Sequence, residues 1–172
     1  YFLGMIINAR LIDSFGGLRY TGVLPRIAFC YGFASLIFMN FRIRAQAVWA
    51  AGILIGYWAA MTLIPVPGHG AGILTPEGSL ASWLDRCCLP GQLRHELYDN
   101  EGMLSTFPAV ATTLLGVFSG HWLRSPASHS RKVAGLSLAG ISALALGLLW
   151  NMTFPINKLL WTSSFVFFAG GW

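Results

Sequence analysis

Three short segments of this 172-residue chain hold side chains at spacings that could do chemistry. Arg19 and Arg26 stand seven residues apart, so on a helix they share a face. Two guanidinium forks there could clamp a phosphate or carboxylate; the plainer reading is a pair of interfacial anchors that snorkel to headgroups. Tyr98-Asp99-Asn100-Glu101-Gly102 sets two carboxylates just before an apolar run. They could orient a base or bind a polar acceptor. Equally, they could be favourable charges at a helix N-terminus, with Asp99 or Asn100 as the cap. Pro155-Ile156-Asn157-Lys158, continuing to Ser164, is the densest polar cluster next to an apolar stretch. Lys158 could neutralise a phosphate or pair with a loop acid. Ser163 and Ser164 could line a cavity, although hydrogen bonding between helices is the commoner use of such serines.

Histidine and cysteine offer less. His69, His95, His121 and His129 have no metal-ligand spacing, and no metal site is expected. Only His95, in an acidic stretch, suits acid–base work. Cys87 and Cys88 are adjacent, a poor arrangement for a mutual disulfide or a metal, and Cys30 reads as a packed thiol. Asn151-Met152-Thr153 matches a glycosylation sequon but falls at the end of an apolar run.

Lipid is the solvent for the elements that must position these residues. The chain is 55% hydrophobic and 10% charged, whereas soluble domains carry charge on roughly a quarter of their residues. About 20 apolar residues make a spanning helix. The stretches 22–41, 45–64, 102–123 and 133–154 meet that length, and no period-2 alternation favours a membrane barrel. The ends, 1–9 and 159–172, are apolar but short. No signal-peptide pattern is visible. The expectation is therefore an all-α polytopic bundle of four full and two partial spans. It forms one domain over 1–172, an internal piece truncated at both ends. Gly116/Gly120 and Ala139/Ala143, each pair four apart, are expected to be helix-packing seams. Ser79 before Leu80, Leu84 and Leu89 predicts a short amphipathic helix at the interface. The net charge of +5 is scattered, without the basic–aromatic stripe of a nucleic-acid binder.

Charge also sorts the loops. Arg42 and Arg44 fall between two spans, and Arg124, Arg131 and Lys132 fall between two others, with no acid in either loop. All six acids, Asp13, Glu77, Asp85, Glu96, Asp99 and Glu101, fall on the opposite side. By the positive-inside rule the basic loops face the cytoplasm and the 65–101 loop faces outward.

Composition and spacing do not separate an enzyme from a transporter or from a non-catalytic subunit of a membrane complex. Five segments in register over nearly the whole chain shift the balance. They are Arg19 to Arg26, Ile64 to Gly68 (IPVPG), Leu84-Asp85-Arg86, Tyr98 to Gly102 and Pro155 to Thr162. In this order they resemble the transmembrane acyltransferases that include heparan-α-glucosaminide N-acetyltransferase and its bacterial relatives. Thr21, Pro25 and Asn100 depart from that pattern. The resemblance implies acetyl transfer from acetyl-CoA on the cytoplasmic side to an amino sugar or glycan on the far side. A bacterial relative would sit in the inner membrane and a eukaryotic one in the lysosome; the compact loops and the absence of a sequon in the outer one favour the bacterial inner membrane, with the 65–101 loop extracytoplasmic. It places Arg26, Asp85, Arg86, Asp99, Glu101, Asn157 and Lys158 along the acceptor or acetyl-CoA path. The family's proposed catalytic histidine precedes the region matched here, and none of the four histidines fits its motif. Expected partners are membrane lipid, acetyl-CoA and the acceptor; homo-oligomerisation is left open.

Overall fold

A computed structural model describes residues 1–10, 20–89, 93–95 and 97–172, with the side chains of 7–10 left aside. Among the described residues seven helices follow one another: α1 (Phe2–Arg10), α2 (Val23–Asn40), α3 (Ile43–Leu63), α4 (Leu80–Cys88), α5 (Met103–Leu123), α6 (His129–Trp150) and α7 (Ser163–Gly171). No strand occurs among the described residues. Four helices, α2, α3, α5 and α6, are long and apolar enough to cross a bilayer. The chain is an all-α polytopic bundle, an integral membrane protein whose apolar flanks meet lipid.

Successive long helices run antiparallel, which gives the bundle two distinct ends. At one, the mouth end, the starts of α2 and α5 meet, and the 64–102 and 151–162 connections gather. At the other, the basic end, the ends of α2 and α5 meet, with the Phe38 ring 5.4 Å from that of His121. The tight α2–α3 turn there is held by Gln46, whose amide donates to the carbonyls of Phe41 (2.7 Å) and Phe38 (3.3 Å). Arg42, Arg44, Arg124 and Arg131 are exposed at this end.

Helix α5 is the hub, packing on α2, α3, α4 and α7, while α6 leans mainly on α7. Small residues let the hub's neighbours close in: Ala34, Ala50 and Leu114 form one buried cluster, and Leu54, Ala111 and Val166 another. A third cluster, Tyr57, Met61, Val66, Leu80, Ala81, Phe154 and Leu160, seats α4 on the mouth end.

Three details differ from the sequence-based expectations. The fourth long helix starts at His129 and ends at Trp150, with 151–154 forming a turn, rather than filling 133–154. Its first turn projects at the bundle end, where Arg131 and Lys132 need not enter hydrocarbon. The close helix seam is not at Gly116/Gly120, where an added Cβ would meet open space, nor at Ala139/Ala143, of which Ala139 is exposed. It lies between α6 and α7. A Cβ on Gly147 would sit 2.7 Å from the Phe168 nitrogen, and one on Gly140 would sit 2.8 Å from the Gly171 carbonyl. Spacing of four alone does not say which face meets a neighbour. Finally, α4 is capped by Ser79, which accepts from the Ser82 N–H at 3.3 Å, but its buried face is mixed rather than apolar. Leu80, Ala81, Ser82 and Asp85 are buried, and Leu84 only partly so.

Candidate functional site

Buried polarity marks the mouth half. Among the described residues, the buried polar side chains are Thr21, Arg26, Ser79, Ser82, Asp85, Asp99, Ser105, Thr162, Ser163 and Ser164 there, and only Gln46 at the basic end. Burying such groups is unfavourable unless partners satisfy them, so their partners define the site.

Arg26 sits in the first turn of α2 and is only 8% exposed. It is no snorkelling anchor. One guanidinium nitrogen, Nη2, donates to the Asn100 carbonyl at 2.7 Å and to the Ser105 hydroxyl. The guanidinium carbon lies 5.0 Å from the centre of the Trp161 ring, in cation–π range. No carboxylate among the described residues comes within ion-pair distance of it. Arg26 is thus a strut from α2 to the start of α5, floored by the C-terminal turn. Its partner in the anion-clamp reading, Arg19, lies outside the described residues, as do Asp13 and Glu96.

Asp85, 1% exposed, comes from the other direction. Its Oδ1 accepts the Met103 N–H at 2.9 Å, so a residue of α4 caps α5. This corrects the expectation that Asp99 or Asn100 would do so. The residue at the α5 N-cap position is Gly102, which has no side chain to offer. Glycine is required there because any Cβ would collide with the Asp85 carboxylate. Burial pushes the Asp85 carboxyl up to about 6; the nearby Asp99 charge adds to this, against the opposing pull of the Met103 N–H and the Arg26 and Arg86 charges. Arg86 does not pair with Asp85. It turns outward and donates to the carbonyls of Glu77 (2.8 Å) and Leu97 (2.6 Å), bracing the loop.

Asp99 organises its own loop. It accepts from the Thr21 hydroxyl at 2.6 Å, from the Glu101 N–H at 2.9 Å and from the Arg94 N–H at 3.1 Å. Glu101 is 3.4 Å from the Arg94 guanidinium, whose side chain is half exposed. His95 is exposed and stacks on Tyr98 with ring centres 4.4 Å apart.

The last segment closes the floor. Asn157 is used structurally: its Oδ1 accepts from the N–H groups of Leu159 (2.8 Å) and Leu160 (3.4 Å) and shapes a tight turn. Trp161, at φ 52°, follows it in the left-handed region. The Tyr57 hydroxyl donates to the Leu160 carbonyl at 2.5 Å, tying this turn to α3. The Ser163 hydroxyl donates to the Leu54 carbonyl at 2.7 Å, the interhelical use expected of it. Lys158 is exposed and pairs with no acid among the described residues. Thus Arg26, Asp85, Asp99 and Glu101 gather around residues 99–105, while Arg86 and Asn157 brace the rim and Lys158 stands apart. Sequence reasoning missed Thr21, Ser105 and Trp161 as partners. The hydrogen-bonding capacity of Thr21 and Ser105, which flank the quoted charges, was the available signal.

Below the mouth, between α3 and α5, lies an open groove of about 250 Å³. Gly52, Ile53, Gly56 and Tyr57 form one wall, with Leu104 and Phe107 opposite. Neither a protein-family model nor a curated protein matches the sequence.

Proposed function

We propose that the chain is part of a membrane acyltransferase that moves an acetyl group from acetyl-CoA to an amino sugar or glycan. The observation that supports this most is convergence. Segments singled out by the family resemblance, from residue 21 to residue 162, meet at one end of the bundle. The links are Thr21 to Asp99, Arg26 to Asn100, Asp85 to Met103, and Trp161 beneath Arg26. A mouth lined by fixed carboxylates, with hydroxyls and a guanidinium held behind them, suits a polar, hydroxyl-bearing acceptor. Glu101, paired at 3.4 Å with the half-exposed Arg94, brings a carboxylate to this mouth that could receive a proton or hold an amine. The positive-inside rule sets the basic end in the cytoplasm and the mouth outside, in keeping with a bacterial inner membrane. The exposed arginines of the basic end suit the phosphates of acetyl-CoA, which would supply the activated acetyl group.

The test is radiolabelled acetyl transfer to glucosamine by the complete protein carrying Glu101→Gln. Activity should fall at least about tenfold, which corresponds to about 1.4 kcal/mol of transition-state stabilisation, while the yield of folded protein is unchanged. Full activity would remove Glu101 from the site. An inactive parent protein would overturn the acyltransferase reading itself.

A further inference from the structure

The groove between α3 and α5 is a separate feature with its own chemistry, and it does not depend on the proposed activity. Its wall residues Gly52 and Gly56 are exposed, and an added Cβ at either would meet open space. The opposite wall is Leu104 and the half-exposed Phe107. The walls are apolar, and they belong to two helices that span the membrane. Water has no favourable place in such a trough, whereas a hydrocarbon chain does.

Depth and charge narrow the occupant. Along α3 the lining runs from Gly52 to Ala60, a span of about 12 Å at 1.5 Å of rise per residue. Ala60 lies one turn before the mouth end of the helix at Leu63. The groove therefore fills most of one leaflet, whose hydrocarbon half is about 15 Å deep. It stops near mid-bilayer. One turn below Ala60, Tyr57 lines the groove and donates to Leu160, in the mouth-end turn that also carries Lys158. That lysine is exposed and has no hydrogen-bond or ion-pair partner among the described residues. An apolar trough one leaflet deep, with an unpaired ammonium on the turn seated against its wall, is complementary to an anionic lipid.

We infer that this groove holds one acyl chain of a bilayer phospholipid from the mouth-side leaflet, with Lys158 engaging an anionic headgroup. The experiment is native mass spectrometry of the delipidated complete protein in detergent. An equimolar mixture of phosphatidylglycerol and phosphatidylcholine of matched chains is added back. One lipid should be retained per chain, with phosphatidylglycerol favoured about fivefold, the ratio expected of one cation near a headgroup. Lys158→Gln should bring the ratio close to one while leaving one lipid bound. Gly56→Leu should lower retention of both lipids alike. Lys158 is on the surface, so its variant tests the headgroup contact even if Gly56→Leu fails to fold. Equal retention of the two lipids by the parent, or an unchanged ratio in Lys158→Gln, would overturn the assignment.

Discussion

At the mouth end Arg26 is buried, with a carbonyl, a hydroxyl and an indole ring for partners. At the basic end Arg42, Arg44, Arg124 and Arg131 are exposed, and no acid lies near them in the sequence. Both ends carry several basic residues, but the acids all fall on the mouth side, and a buried arginine wired into the packing is found there. The difference separates two uses of charge in a membrane protein. Exposed basic residues at a bilayer boundary set orientation and meet anionic surfaces. Buried charges cost far more to place and persist where partners from several segments converge. A site is therefore to be sought where polar groups are buried, not where they are most numerous.

The comparison can be broken most decisively by labelling. In a chain whose own cysteines are replaced by serine, Ala71→Cys and Ser128→Cys should react with a membrane-impermeant maleimide from opposite faces of sealed vesicles. Reaction of both from one face would contradict the antiparallel arrangement that defines the two ends. Next in size is Arg26→Leu. It removes two charge-assisted hydrogen bonds and the contact with the Trp161 ring, so stability should drop by about 3 kcal/mol, read by denaturation in detergent. Arg44→Leu at the other end should change stability by less than about 0.5 kcal/mol. Similar losses for the two would erase the distinction.

A smaller effect is expected at Asp85. Its carboxyl is raised to about 6 in the fold from an ordinary value near 4. A raised carboxyl contributes stability while protonated, below its unfolded value, and that contribution is lost as the pH climbs through about 6. The fold should weaken between about pH 4 and pH 6, by on the order of 2 kcal/mol. Asp85→Asn keeps an oxygen for the Met103 N–H and should flatten this pH dependence. A profile as steep as that of the parent would mean that another group titrates there.

The long helices were legible because about 20 uncharged residues in a row have few alternatives in lipid, and all four expected stretches became helices. Helix α4 was legible from Ser79 and the leucines behind it. The capping of α5 was not, because its partner lies 18 residues upstream on another helix. A nearby acid, Asp99, offered the obvious but incorrect answer. The glycine seam was misread for a related reason. Gly116 and Gly120 share a face as well as Gly140 and Gly147 do, and nothing along the chain says that α7 lies against only one of those faces. At the mouth, the charges Arg26, Asp85 and Asp99 were named from the sequence. Their connections through Thr21, Ser105 and Trp161 depend on which helices become neighbours, which local pattern does not encode.

The Asp85–Met103 bond also bears on the order of assembly. A helix entering a bilayer leaves its first N–H groups without intrahelical partners. The first N–H of α5 finds its partner on α4, which is made earlier in the chain and must be seated on the mouth before that bond can close. The 155–162 turn comes later and slides its indole under Arg26. Between those two moments the bundle holds a charged strut with its floor missing. The 155–162 turn is thus the piece that locks the mouth, and an interruption of synthesis before Trp161 would leave Arg26 without its aromatic seat.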